Sequence, residues 1–183
     1  MTLSRTQRWL MPLPLVAILL VALWRWWFPA APLHQRLFDT HLAPYQPQLG
    51  HLVGEALATV RHAYTHDQEA QAIALSLTHL AQADSLPSDT EAELTLALAN
   101  FNLRQGHPDL ARTRLLSLGP PPSPRQQAER QWMLALSHLA EANLPAAQRA
   151  LQALLDDDVP HHDQAAQAMQ DQLAQYAPPK SGE

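Results

Sequence analysis

Apolar residues recur at helical spacing through most of this 183-residue chain, and this periodicity constrains the fold more than any other feature. After Gly50 the spacing of three and four residues predicts seven amphipathic helices. Their predicted ranges are 50–64, 67–83, 89–105, 109–118, 125–142, 146–156 and 162–176. The composition agrees, because Ala, Leu and Gln favour helices and the chain has only five glycines. The sequence therefore predicts an all-α domain over residues 50–177, followed by a disordered tail at 178–183.

Several of these helices have recognisable start signals. Ser88-x-x-Glu91 and Ser123-Pro124-x-Gln126 have the spacing of a capping box, in which the serine oxygen accepts from the helix and the Glu or Gln side chain reaches back. Proline suits the first helical turn, since its φ is already helical and its missing N–H has no partner there. Three predicted helices place proline in that turn, at Pro108, Pro124 and Pro145.

A shift of the sequence by 36 residues superposes two pairs of predicted helices. Eight apolar or small residues then match eight others: Ala92, Leu96, Ala99, Leu103, Gly106, Ala111, Leu115 and Leu118 match Ala128, Trp132, Ala135, Leu139, Ala142, Ala147, Leu151 and Leu154. Each set describes a long helix, a short turn and a shorter helix. The pattern resembles the tetratricopeptide repeat, whose period is about 34 residues. The resemblance covers 91–157 and, less regularly, 50–84, and it implies a solenoid of helical hairpins with about seven helices.

The resemblance also implies a binding groove. In tetratricopeptide-like arrays the first helix of each repeat lines a concave surface that holds a segment of another protein. The matched positions expected to face it are Glu93, Leu96, Asn100, Leu103, Arg104, Glu129, Trp132 and Leu136. The alternative interpretation of the apolar members is ordinary core packing.

The N-terminal region carries a different signal, a run of 20 residues at 9–28 whose only charge is Arg25. A helix of that length crosses about 30 Å of hydrocarbon. Residues that favour the membrane interface lie at both ends of it: Trp9, Trp24, Arg25, Trp26 and Trp27. A cleaved signal peptide is the alternative, but bulky Phe28 occupies the −3 position of one candidate cleavage site. We therefore predict a retained transmembrane signal-anchor helix.

The charges around this segment predict its orientation. Arg5, Arg8 and the α-amino group precede it, whereas Arg25 and Arg36 follow it, and positive charge favours the cytoplasm. We expect residues 1–8 in the cytoplasm and the helical domain in the periplasm, with the anchor in the inner membrane. The dominance of arginine over the single lysine favours a GC-rich bacterial genome. Residues 29–49 are predicted to form a Pro-rich linker with a short amphipathic segment.

Charge and composition exclude several classes of function. After Arg36 the chain has eight basic and 17 acidic residues, and an acidic domain is a poor ligand for a phosphate backbone. The chain lacks cysteine, which removes disulfides, thiolate nucleophiles and Cys-based metal sites. No Gly-rich phosphate loop or nucleophile elbow is present in the sequence. We expect no nucleic acid, no cofactor and no enzymatic activity.

Histidines give the strongest signal for a metal site. His62 and His66 are four residues apart on one helical face, and His161-His162-Asp163 forms a second cluster. However, ten histidines are scattered over the chain, and no HExxH motif is completed. We therefore predict no metal site, with His62 and His66 as the alternative.

These observations together predict a membrane-anchored interaction module of the bacterial cell envelope. Its partner would be another envelope or membrane-associated protein, and its role that of a scaffold, assembly factor or chaperone-like adaptor. A structural accessory subunit of a membrane protein complex is the alternative, and an enzyme with an unrecognised site is the third hypothesis.

Overall fold

The computed structural model describes residues 31–45, 47, 58–60, 62–63, 68–81, 87–121, 123–157, 159 and 161–176. Backbone contacts divide the chain into two units, Met1–Leu33 and His34–Glu183, and the fold below is that of the second. The predicted anchor at 9–28, its N-terminal flank and the predicted tail lie outside the described residues. None of the helices within the described ranges combines the length and the apolar character that crossing a membrane requires.

The described residues are helical and contain no strand, so the prediction of an all-α domain is confirmed. The helices are α1 (Leu33–His41), α2 (Glu69–Ala81), α3 (Ser88–Arg104), α4 (Pro108–Ser117), α5 (Pro124–Ala140), α6 (Leu144–Asp156) and α7 (Asp163–Tyr176). Helices α2 to α7 match six of the predicted ranges to within two residues at either end. For the predicted helix at 50–64, residues 58–60 and 62–63 are described, and they are helical. Helix α1 corresponds to the short amphipathic segment predicted in the linker.

The helix starts agree with the sequence in part. Proline lies at the first or second position of α4, α5 and α6, as predicted. The Ser123 hydroxyl accepts a hydrogen bond from the Gln126 N–H at 3.3 Å and so caps α5. The capping box predicted at Ser88 is wrong, because α3 already includes Ser88 and its N-cap is Pro87, without a side-chain cap bond.

Two helical hairpins, α3–α4 and α5–α6, repeat with an offset of 36 residues. Helices α3 and α5 begin at Ser88 and Pro124, and both have 17 residues. Each helix packs on the next from α2 to α7, and α3 also packs directly on α5. The apolar pairs matched by the sequence shift are buried, whereas Gly106 and Ala142 are exposed in the turns. The matched residues therefore form the interior of the two hairpins.

The two turns have the same backbone geometry. After α3 the His107 N–H donates to the Asn102 carbonyl at 2.8 Å, and after α5 the Asn143 N–H donates to the His138 carbonyl at 2.8 Å. This six-to-one bond is that of a Schellman motif, which requires a left-handed residue between helix and cap. Gly106 has φ +76° and Ala142 has φ +58°, so both turns meet that requirement.

Candidate functional site

A groove of about 530 Å³ lies between the chain segment that follows α1 and the helices α3, α5 and α7. The segment Leu42–Tyr45 is not helical and crosses one side of the groove. The opposite side is formed by residues of α5 and by His161, His162 and Ala165 at the start of α7. Four separate parts of the chain meet here, and the groove combines apolar walls with convergent polar groups, which is typical of a binding site.

Asn100 of α3 holds the backbone of the segment. Its Nδ2 donates to the Ala43 carbonyl at 2.9 Å, and its Oδ1 accepts from the Tyr45 N–H at 3.0 Å. An extended residue triplet presents a carbonyl and an N–H in one direction, and a single carboxamide satisfies both. Asn100 is 6% exposed, so water competes little for these bonds. The side chain thus recognises backbone, independently of the residue types in the segment.

A buried carboxylate fixes the tyrosine side chain of the segment. The Tyr45 hydroxyl donates to Glu93 Oε2 at 2.8 Å, and Gln126 Nε2 donates to Glu93 Oε1 at 2.9 Å. Arg125 forms an ion pair with the same Oε1. Burial, together with the Glu93 charge, raises the pKa of Tyr45 far above its ordinary value. The phenol therefore stays protonated and keeps its role as a donor.

Gln126 departs from the role that the sequence predicts for it. In a capping box its side chain would return to the Ser123 N–H. Instead its Nε2 donates to the Asp89 side chain at 2.8 Å and to Glu93. The Gln126 amide therefore joins α5 to α3 beneath the groove.

Trp132 contacts two imidazole rings at the floor of the groove. The His162 ring lies parallel to the Trp132 ring, with centroids 4.8 Å apart and planes inclined by 8°. On the other side His41 meets Trp132 edge-on at 5.7 Å. Burial lowers the pKa of His41. Trp132 thus links the end of α1 to the start of α7 and holds both imidazoles in place.

Glu129 faces His161 and His162, the two histidines that precede α7. Its Oε1 lies 2.7 Å from His161 Nε2, and its Oε2 lies 3.2 Å from His162 Nε2. Burial raises the pKa of Glu129, but the imidazoles of His162 and His161 lower it by more, so the pKa lies below its usual range. The carboxylate is therefore ionised and available as a ligand or an acceptor at neutral pH.

The eight residues predicted to face a groove divide into three groups. Asn100, Glu129, Trp132 and Leu136 line it. Glu93 reaches it through Tyr45, while Leu96 is fully buried and Leu103 lines a separate cavity beside α1. Arg104 is exposed at the end of α3. Their role in binding a partner stays a prediction.

The alternative metal ligands lie partly outside the described residues. His62 is exposed on a helical stretch, and His66 lies outside the described residues. The residues that sequence analysis left out of the site are Tyr45, Arg125, His161 and His162. The paired histidines had a visible signal in their adjacency, whereas nothing local to Tyr45 or Arg125 indicated that Glu93 would join them.

The arrangement offers three kinds of contact: Asn100 clamps the backbone, Glu93 accepts from a hydroxyl group, and Trp132 provides an aromatic surface. Asn100 and Glu93 lie on α3 and are held by the packing of α3 against α5. Models of protein families, curated proteins and solved structures were compared with the chain, and none of them matches it.

Proposed function

We propose that this protein is a membrane-anchored interaction module of the bacterial envelope, in which tetratricopeptide-like helical hairpins bind an extended segment of another protein. The observation that carries the proposal is the pair of hydrogen bonds between Asn100 and the backbone of Ala43 and Tyr45. A site built to hold extended backbone recognises any chain that can present a carbonyl and an N–H two residues apart.

The chemistry of the groove defines its occupant. The bound segment is extended and carries a tyrosine where Tyr45 lies, because the buried Glu93 carboxylate accepts from a hydroxyl group and Arg125 donates to the same hydroxyl oxygen. Residues before the tyrosine are small, as Ala43 and Pro44 are, and they remain exposed at the surface. A partner segment of this kind binds by displacing Leu42–Tyr45, so its apparent affinity is reduced by the fraction of grooves that are already filled.

The predicted anchor at 9–28 supports an envelope partner. A tether fixes the groove at the membrane and raises its effective concentration towards proteins in the same membrane. Weak backbone contacts then suffice for specific association. The acidic balance of the remaining chain, with 17 acidic residues after Arg36, agrees with a protein partner and disfavours nucleic acid.

The test uses the full-length chain, extracted from its own membranes in detergent and recovered with bound proteins for mass spectrometry. Tyr45→Ala loosens Leu42–Tyr45, the resident segment of the groove, and we expect it to increase the recovery of the partner several-fold. Asn100→Ala in the Tyr45→Ala background removes the clamp and should abolish that gain. Asn102→Ala, on the same helix, is the matched control and should leave recovery unchanged. Recovery that is equal in all four proteins would overturn the proposal.

A further inference from the structure

Two parts of the chain that are 32 residues apart bring three metal-ligating side chains together. Glu129 comes from the middle of α5, and His161 and His162 immediately precede α7. The ligand atoms of the three residues all lie within 4.8 Å of one another. This cluster borders the groove. The hydrogen bonds that hold the resident segment come from Asn100 and Glu93 and involve no member of the cluster.

The donor set and its spacing fit a first-row divalent cation. Two imidazole nitrogens and one carboxylate form a ligand set of zinc sites that keep a fourth position open. Bonds of about 2.1 Å in a tetrahedron place neighbouring ligand atoms about 3.4 Å apart. The two oxygens of Glu129 lie near this spacing from one imidazole each, with Oε2 3.2 Å from His162 Nε2 and Oε1 2.7 Å from His161 Nε2. One ligand atom from each of the three residues lies within 4.8 Å of the other two, so a small closure of the cluster brings them to the spacing of a tetrahedron.

His162 has features that a bound cation would explain. Its backbone has φ +70°, a left-handed conformation that costs a non-glycine residue of order 1–3 kcal/mol and tends to persist at functional sites. Its Nε2 is buried and forms no hydrogen bond within the described part of the chain. Its ring is held parallel to Trp132 at 4.8 Å. A left-handed backbone, a ring held against Trp132 and a buried nitrogen 3.2 Å from a Glu129 oxygen together place this imidazole as a ligand.

We propose that Glu129, His161 and His162 bind a zinc ion, with its fourth position open to the groove. Glu129 is 7% exposed, and water therefore competes weakly for its oxygens. The open position is directed to the space that a bound segment would occupy. The ion fixes the start of α7 to α5 and offers a ligand position to a side chain of the partner.

A simple ion pair between Glu129 and protonated histidines is the competing explanation, and metal titration separates the two. The full-length protein, purified in detergent with a tag that lacks histidine, is stripped with chelator and titrated with zinc chloride by calorimetry. Retained zinc is then measured by mass spectrometry after dialysis. We expect one zinc per chain, no comparable binding of magnesium chloride, and a higher melting temperature with zinc.

The variants locate the ion. Glu129→Gln should weaken zinc binding at least tenfold, and the double substitution His161→Gln with His162→Gln should abolish it. His107→Gln, at an exposed histidine before α4, is the control and should bind zinc as the wild type does. His161 is 40% exposed at its side chain, so His161→Gln keeps the fold even if Glu129→Gln does not, and it should lose the zinc-dependent rise in melting temperature. Absence of stoichiometric zinc in the wild type, or unchanged binding in His161→Gln, would overturn the proposal without affecting the backbone clamp.

Discussion

Glu93 is the residue on which the groove depends most. Its carboxylate is fully buried between α3 and α5, where Tyr45, Gln126 and Arg125 surround it. A buried charge is tolerated only when its partners are in place, because the lost hydration must be replaced. The charge pair therefore ties the stability of the hairpins to the position of the resident segment.

Removing the arginine should expose this dependence. Arg125→Leu leaves the Glu93 charge without its cation, and we expect a loss of about 3 kcal/mol in the free energy of unfolding. Adding Glu93→Gln removes the charge but keeps an acceptor for Tyr45, so the double variant should recover about half of the loss. Urea denaturation of the three proteins measures both steps. A double variant less stable than Arg125→Leu alone would contradict the electrostatic explanation.

His138 of α5 predicts a dependence of stability on pH. Burial lowers its pKa, and the charge of Arg112 lowers it further, while Glu141 opposes the shift. The unfolded chain, whose histidines have pKa values of about 6.5, then binds more protons than the folded one. The contribution of His138 to stability is therefore fully present above about pH 6.5, and it is lost as the pH falls through the lower pKa of the folded state.

Thermal unfolding at several pH values checks this sign. The melting temperature of the wild type should fall between pH 7 and pH 5.5, and His138→Gln should reduce the fall. Part of the fall remains, because burial also lowers the pKa of His41. His107→Gln is the control and should follow the wild type. If the melting temperature of His138→Gln falls as steeply with pH as that of the wild type, the His138 imidazole binds protons alike in the folded and unfolded states, and the prediction is wrong.

At the scale of elements, the two hairpin turns differ by one methyl group. Gly106 and Ala142 occupy equivalent left-handed positions, with φ +76° and +58°. Open space surrounds the position that a Cβ on Gly106 would take, so only backbone strain distinguishes the two residues. An L side chain in this conformation costs about 1–2 kcal/mol.

Reciprocal substitutions measure that strain. Gly106→Ala should destabilise the protein by about 1 kcal/mol, and Ala142→Gly should stabilise it by up to about 1 kcal/mol after the greater flexibility of glycine in the unfolded chain is deducted. Urea denaturation gives both values. The same sign for the two substitutions would contradict the equivalence of the turns.

The elements were predictable from sequence because their causes are local. Helical periodicity and first-turn prolines depend on residues a few positions apart, and the match of Gly106 with Ala142 depends on a repeat that is visible in the sequence itself. The contacts of the site could not be predicted from sequence, because they join distant residues. The Asn100 bond to Tyr45 joins residues 55 positions apart, and the ion pair of Arg125 with Glu93 joins residues 32 positions apart. Asn100, Glu93, Glu129 and Trp132 were found through the repeat, whereas Tyr45, Arg125 and the histidines that complete the site lie outside its pattern.

In the molecule as a whole, the hairpins form a groove that holds backbone, and the chain fills this groove with its own segment. The fold provides the rigid part, because α3 and α5 pack directly on each other and hold Asn100 and Glu93. The resident segment shows which sequence the groove binds. Its removal should make the groove available to the same sequence added separately.

The most direct measurement is the dissociation constant of a fluorescent peptide with the sequence of residues 39–48, DTHLAPYQPQ, for full-length protein in detergent. Fluorescence anisotropy should show saturable binding to Tyr45→Ala and weaker binding to the wild type, whose groove is filled. Adding Asn100→Ala to Tyr45→Ala should weaken binding about tenfold or more, since two hydrogen bonds are lost. Absence of binding to Tyr45→Ala, or an affinity that Asn100→Ala leaves unchanged, would contradict the account.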